Sequence, residues 1–406
     1  MNVLFLTMVK MESKNGEGIY QDFIREISKK VENVYVVSPI EKKEGKQTYL
    51  IEEDNVKILR VKTGDLTKTS KIKKGINQLT LESKFKKAIN KYLDDINVDI
   101  IVYSTPPMTF SKLISYLKDK FNATSYLMLK DIFPQNALDL GMLRKGSIVY
   151  KLFRRKELDT YRVSDLIGVM SEANKEHIVN NSNVDENKIH IFRNSSYDYL
   201  DKFNEVDKSL FEQYGLDPQK KTIIYGGNIG EPQGPRNIIN YIKKFDEVDN
   251  ANLLIIGNGT RFAEVKEAAN NIKNVFVFNR LPKKDYDNLL YLSDIGLIFL
   301  DEKFTIPNYP SRMTSYVCLG KPVLASVDDS TDLSDEIIEN QFGYVNKAND
   351  IDTLIKNTNK LTKNKEDFNR FSKNARQFFE KELRIEDNVE RMLGKIEEYK
   401  TNEKNN

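Results

Sequence analysis

The stretch "DIGLIFLDEKFTIPNYPSRMTSYVCLGKPVLAS", residues 294–326, decides how the second half of the chain folds. Its flanking runs, DIGLIFL and KPVLAS, are short and apolar, as strands buried on both faces of a parallel sheet are. Between them the apolar spacing predicts a short helix. Proline and serine at 310 and 311 mark its start, because proline is tolerated in the first turn and serine can cap it. Such a start presents unpaired N–H groups near Arg312 and Met313, and the helix dipole favours an anion there. Arg312 itself either adds a charge-assisted contact to a phosphate or is simply solvated.

The same alternation of short strand and amphipathic segment repeats along most of the chain, which predicts βα units around parallel sheets. In the first half the candidate strands are NVLFLT, VYVVSP, VKILRV, DIIVYS, TSYLML, DLIGVM and KIHIFRN. In the second half they are KTIIYGGN, ANLLIIGNG, NVFVF, DIGLIFL and KPVLAS. Residues 196–220 begin with turn formers and carry no buried-strand signal, so they read as a linker between domains spanning 1–195 and 221–383. The segment 371–399 is helical by its apolar spacing, and the last residues, KTNEKNN, read as frayed. Two doubly wound α/β domains of this kind bind ligands outside the carboxyl ends of their strands, here expected around a shared central cleft.

Composition narrows the chemistry. A chain of 406 residues suits two domains rather than one core. Its 63 Lys and Arg balance 60 Asp and Glu to a net charge of +3, which argues against a dedicated nucleic-acid binder. The single cysteine, Cys318, allows no intrachain disulfide and points to a reducing cytoplasm. Only His177 and His190 are present, and there is no Cys/His cluster for zinc, so no metal or cofactor is expected. No segment approaches the length of about 18 apolar residues that reads as a membrane helix.

Four places are candidates for binding or catalysis. In Tyr225–Ile242, YGGNIGEPQGPRNIINYI, Gly226, Gly227 and Gly230 follow a strand and precede a helix. They either let the backbone approach a phosphate or make a tight turn. Gly257, Asn258 and Gly259 end the next strand, where Asn258 or Arg261 could reach a ligand. The helix start at 311–315 is the third. In the first half, Gly16 and Gly18 suggest a flexible loop, and Asp131 stands with Lys130 at a strand's carboxyl end. Asp131 either orients a hydroxyl nucleophile or caps the helix that follows. Two basic amphipathic stretches, Lys68–Lys91 and Arg144–Lys156, are either solvated faces or contacts to an anionic membrane surface.

Together these segments resemble the retaining glycosyltransferases of family 4, which have the GT-B fold. The resemblance runs along nearly the whole chain, through LTMVKMESKNGEGIYQDFI, YRVSDLIGVMSEANKEHI and KIHIFRNSSYD. STPPMTFSKLI, KDIFPQNALDLGML, YGGNIGEPQG and YPSRMTSYVCLGKPVLASVD are similar to the branch that builds bacterial capsules and O-antigens, including fucosamine transferases. The resemblance implies a second domain that binds a nucleotide sugar and a first that binds the acceptor. It also implies that residues 384–400 form a helix returning to the first domain.

By that resemblance Gly227 and Asn228 lie near the diphosphate, and Ser311, Arg312, Met313 and Thr314 supply donors to it. Asn228 and Gln233 fall where family members often carry Arg and Lys, which leaves the charge to Arg280 or Arg312. Ser315 and Pro307 fall where the family has its paired glutamates, so the ribose is assigned to Asp332. Gly18, Asp131 and Asn228 are the residues implied in catalysis. The implied reaction moves a sugar from a nucleotide-sugar donor, with UDP expected, to a hydroxyl of a lipid-linked or growing saccharide acceptor. The implied location is cytoplasmic, or peripheral on the inner face of the membrane. A nucleotide-sugar epimerase of the same fold and a non-catalytic nucleotide-sugar-binding partner remain alternatives.

Overall fold

The computed structural model describes residues 1–66, 71–203 and 206–405, with 71–76 described by backbone alone. The chain divides into two units, Met1–Ser196 with Ile385–Asn406, and Tyr197–Arg384.

The first unit holds an eight-stranded sheet of β1 (Asn2–Leu6), β2 (Asn33–Ile40), β3 (Tyr49–Glu53), β4 (Val56–Lys62), β5 (Ile100–Ser104), β6 (Thr124–Met128), β7 (Leu166–Val169) and β8 (Ile189–Ile191). The spatial order is β3-β4-β2-β1-β5-β6-β7-β8. Every neighbouring pair is parallel except β3 with β4, a hairpin with Tyr49 opposite Arg60. β3 is not among the expected strands: its residues YLIEE are only partly buried and end in two glutamates, which hides the apolar signal. The helices of this unit are α1 (Ile19–Ser28), α2 (Lys71–Tyr92), α3 (Ser111–Phe121), α4 (Gln135–Asp139), α5 (Ile148–Val163) and α6 (Glu172–Ser182). Strand order reverses between β1 and β5, so the loops after these strands and after β6 are the places where a ligand can reach the sheet's edge.

The second unit holds six parallel strands, β9 (Lys221–Asn228), β10 (Ala251–Asn258), β11 (Val275–Phe278), β12 (Ile295–Phe299), β13 (Val323–Val327) and β14 (Gly343–Lys347). Their order, β11-β10-β9-β12-β13-β14, reverses between β9 and β12. β14 is a second unexpected strand; GYVNK carries an asparagine and a lysine and shows little apolar run. The helices are α7 (Leu210–Gln213), α8 (Pro235–Lys243), α9 (Phe262–Ala268), α10 (Lys283–Leu292), α11 (Arg312–Cys318), α12 (Leu333–Glu339), α13 (Ile351–Lys363) and α14 (Lys365–Phe378). Ile223, Leu253, Ile255, Leu297 and Phe299 form the sheet's side of a core closed by Ile238, Tyr241 and Ile242 of α8. The described part of the segment read as a linker packs on this unit. Phe203 stacks on Tyr291 at 4.6 Å between ring centroids, and Tyr214 meets Phe278 at 5.2 Å.

After α14 the chain makes a π-helical turn, Phe379–Leu383, and straightens at Arg384. The last helix, α15 (Ile385–Asn405), then belongs to the first unit and continues through the residues read as frayed. Its buried Ile385, Val389, Met392 and Ile396 repeat at helical spacing, and Tyr399 and Lys400 bond to Asp165 and to the Asp99 carbonyl of that unit. Among the described residues no helix is long and apolar enough to cross a membrane.

Candidate functional site

The carboxyl end of β9, at the reversal point of the second sheet, is built around glycine because side chains press directly on the strand. A Cβ on Gly226 would strike the Tyr286 hydroxyl. Gly227 has φ +130, and a Cβ there would lie 3.3 Å from Nη2 of Arg312. The Tyr316 hydroxyl accepts the Gly226 N–H at 3.2 Å, fixing α11 against β9.

Arg312, the first residue of α11, lies half-buried with its guanidinium carbon 4.2 Å from the centre of the Tyr225 ring. Tyr286 and Tyr316 complete its surroundings. Its Nη1 is enclosed and has no hydrogen-bond partner, and Arg312 forms no ion pair among the described residues. An enclosed cation without a counter-charge is costly, and an anion with several acceptor oxygens offsets that cost. Arg312 is therefore not the simply solvated side chain that one reading of its position expected.

Asn228 and Gln233, at the places where charges were expected by resemblance, satisfy one another. Asn228 Nδ2 donates to Gln233 Oε1 at 2.7 Å, and the same oxygen accepts the Gly230 N–H at 3.2 Å. Asn258 ends β10 in register with Asn228, and its carbonyl accepts the Ile229 N–H at 2.7 Å. Gly227, Asn228, Gln233, Asn258 and Arg312 therefore share one edge of the second unit. Arg280 does not join them: it is exposed beyond β11, with β10 between that strand and β9. Arg261 is held by Glu231 at 3.3 Å and Glu264 at 2.7 Å.

The start of α11 differs from expectation. Ser311 has helical φ and ψ, −61° and −22°, and its hydroxyl makes no capping bond. The Met313 N–H is already given to the Pro310 carbonyl at 3.2 Å, and the side chains of Met313 and Thr314 are buried. The Ser315 hydroxyl lies beside the Tyr199 phenol. The site's charge thus comes from the Arg312 side chain more than from free backbone donors.

Asp332 is the N-cap residue of α12, half-buried, and its carboxylate makes no capping bond to that helix. Its turn is tied to the residues before α11: Thr331 Oγ1 donates to the Asn308 carbonyl at 2.7 Å, and Ser330 Oγ to that of Phe304 at 2.9 Å. The same turn holds Asp328, which sequence reading missed. Asp328 Oδ1 accepts the N–H groups of Ser330 and Thr331 at 2.9 and 3.1 Å, while Oδ2 is enclosed without a partner. Burial pushes its carboxyl up to about 6. The available signal was an acid directly after a buried strand, in VDDST.

In the first unit Asp131 follows β6. Asn136 Nδ2 donates to its Oδ1 at 2.6 Å, and α4 takes Pro134, not Asp131, as its N-cap. Burial pushes the Asp131 carboxyl up to about 6. Neighbouring Lys130 turns elsewhere, donating to the carbonyls of Phe192 and Arg193 at 3.3 and 3.5 Å, and burial lowers it to about 7. Gly18, at φ +133, opens α1. The loop before it is pinned: Arg25 Nη1 donates to the Lys14 and Gly16 carbonyls at 2.9 and 2.5 Å, and Glu53 accepts the Lys14 N–H at 2.8 Å. Among the described residues no group of three His, Cys, Asp or Glu side chains could hold a metal.

Residues 206–378 match the family described as glycosyl transferases group 1. The chain is 26% identical over 266 residues to WbjE of Pseudomonas aeruginosa, named as a probable glycosyltransferase, with 62% of this chain and 63% of that protein covered. It is 24% identical over 245 residues to WcaI of Escherichia coli K12, whose name places it in colanic acid biosynthesis, with 58% and 59% covered. The matched region is thus less than two thirds of either relative's length. Among solved structures, sucrose-phosphate synthase of Thermosynechococcus elongatus is similar with a TM-score of 0.76 at 12% identity, covering 98% of this chain and 99% of that one. Anabaena HepE in complex with UDP is similar with a TM-score of 0.68 at 13% identity, covering 98% and 100%. Residues 206–378 thus match the glycosyl transferases of group 1, and the chain has the GT-B fold.

Proposed function

We propose that the chain transfers a hexosyl or N-acetylhexosaminyl group from a nucleotide sugar, with UDP as carrier, to a hydroxyl of a lipid-linked or growing saccharide. Transfer proceeds with retention, in the assembly of a bacterial surface polysaccharide such as capsule or O-antigen. One observation carries the reading: the Arg312 guanidinium beside Gly227 at the reversal point of the second sheet, with no ion pair among the described residues and with its Nη1 enclosed and unbonded. The group 1 match over that unit and the name of WcaI support it further.

In this reaction the acceptor oxygen bonds to the anomeric carbon as that carbon's bond to the diphosphate breaks, and the acceptor's proton passes to the leaving oxygen, on which negative charge grows. A fixed guanidinium stabilises that charge more in the transition state than in the ground state. Gly227, lacking a Cβ, keeps room for a phosphate next to Arg312. Asn228 contributes an uncharged donor, and Asp332 takes the ribose hydroxyls. In the first unit Asp131, ionised above about pH 6, accepts a hydrogen bond from the acceptor hydroxyl and orients it.

The test is incubation with a panel of UDP-sugars, with and without an undecaprenyl-linked saccharide. Nucleoside diphosphate released only with acceptor, and lost on replacing Arg312, supports the transferase. An isomerised donor without acceptor would replace this reading with the epimerase, and donor binding without turnover with the non-catalytic partner.

A further inference from the structure

Nine large hydrophobic side chains are exposed among the described residues, and four of them, Met142, Ile148, Val149 and Leu152, fall within eleven residues of the first unit. Ile148 is 87% exposed and Met142 53%. The helix that carries three of them is firmly made: Ser147 caps it by accepting the Tyr150 N–H at 3.2 Å. Its buried residues, Glu157, Thr160 and Tyr161, all lie in its second half, so its first half projects. Ile148, Leu152 and Arg155 are spaced i, i+4 and i+7 and share one exposed face.

Around this apolar row the charge has one sign. Residues 140–156 contain Arg144, Lys145, Lys151, Arg154, Arg155 and Lys156 and no acid. Arg154 is engaged by Glu157 at 2.5 Å and Arg155 approaches Asp159 at 4.0 Å. Arg144, Lys145, Lys151 and Lys156 form no ion pair among the described residues. The other basic stretch is different. Lys68 lies outside the described residues, and in α2 the apolar stripe of Leu81, Phe85, Ala88 and Ile89 is buried, so that the two large hydrophobics exposed among its described residues, Leu79 and Tyr92, stand thirteen residues apart and form no row.

We propose that the segment 142–156 seats this protein on a membrane of anionic phospholipids, with Met142, Ile148, Val149 and Leu152 among the acyl chains and the flanking cations against the headgroups. Charge complementarity selects this occupant: four cations without ion pairs among the described residues, Arg144, Lys145, Lys151 and Lys156, set among exposed aliphatics fit a surface that is both anionic and apolar beneath. The inference does not depend on the donor chemistry, because none of these residues belongs to the second unit.

Full-length protein is sedimented with phosphatidylcholine vesicles, with and without phosphatidylglycerol. Binding is expected only with phosphatidylglycerol and should weaken as salt rises. Ile148→Ser with Leu152→Ser should lose it even at low salt, and each of Lys145→Gln and Lys151→Gln should weaken it about fivefold. Arg312→Met should bind vesicles as the parent does. Equal binding to both vesicle types, no binding, or unchanged binding by the Ser double variant would each overturn the proposal. So would self-association that the Ser variant abolishes in a protein that ignores vesicles. Unchanged circular dichroism and melting of the variants keeps loss of fold out of the comparison.

Discussion

Replacing Arg312 with methionine separates a ligand-binding arginine from a structural one, because the two roles move donor affinity and stability in different ways. Methionine keeps an unbranched chain over the Tyr225 ring and removes the charge. In the free protein the enclosed Nη1 lacks a partner, a defect costing about 1–3 kcal/mol, while the guanidinium's contact with Tyr225 returns about 0.5–2 kcal/mol. These nearly cancel, and no ion pair is lost. The melting temperature of the free variant should therefore stay within about 2–4 °C of the parent. Nucleotide binding should behave otherwise, since hydrogen bonds to a charged group contribute about 1.5–3 kcal/mol. That corresponds to a loss of about tenfold to 150-fold in the affinity for UDP, measured by titration calorimetry with GDP and dTDP in parallel. A variant that binds the nucleotide as tightly as the parent would refute the assignment. So would one whose melting temperature collapses with affinity falling only in proportion to the unfolded fraction.

Four further substitutions address other candidate residues of the two units. Gly227→Ala places a Cβ at φ +130 and 3.3 Å from Arg312 Nη2, and is expected to cost about 1–3 kcal/mol of stability and to weaken UDP binding beyond what denaturant melts alone explain. Asp131 has a carboxyl raised to about 6 by burial, so turnover should rise with pH through about 6, and Asp131→Asn should lower turnover and remove that limb. The sign for stability is opposite: the raised carboxyl favours the folded state below its ordinary range near 4, and that contribution is lost as pH rises through about 6. Asp131→Asn should flatten this slope in denaturant titrations. Asp332→Asn should weaken UDP binding about tenfold while leaving binding of inorganic diphosphate unchanged, whereas Ser315→Ala, whose hydroxyl faces Tyr199, should leave both unchanged. The reverse result would return the ribose to Ser315.

Ten of the strands were legible because they lie inside their sheets and carry apolar runs, and the edge strands β8 and β11 were legible because KIHIF and NVFVF keep such runs although only partly buried. β3 and β14 were not, because an edge strand with one wet face needs no such run; YLIEE and GYVNK carry their pairing in the backbone. Residue types at the site were legible as well, since glycines after a strand and an arginine in a first turn are local features. What Arg312 does was not. Its surroundings come from Tyr225 on β9, Tyr286 on α10 and Tyr316 on α11, which the fold alone brings together. The capping role read for Ser311 failed for a related reason: capping requires extended φ and ψ, and the loop delivers Ser311 already helical.

The relocation of charge follows from these contacts. Where the resemblance expected Arg and Lys after β9, Asn228 and Gln233 bond to each other at 2.7 Å and bring no charge. Strand order places β12 directly beside β9, so the segment after β12 returns to the same edge from the other side of the reversal point. A side chain from that segment can therefore reach Gly227, where the positive φ favours glycine and a Cβ would crowd the guanidinium at 3.3 Å. On the proposed reading, one guanidinium on α11 takes the place of two exposed cations on the loop after β9. Because it is partly withdrawn from water, its attraction for a phosphate is screened less by salt than theirs would be.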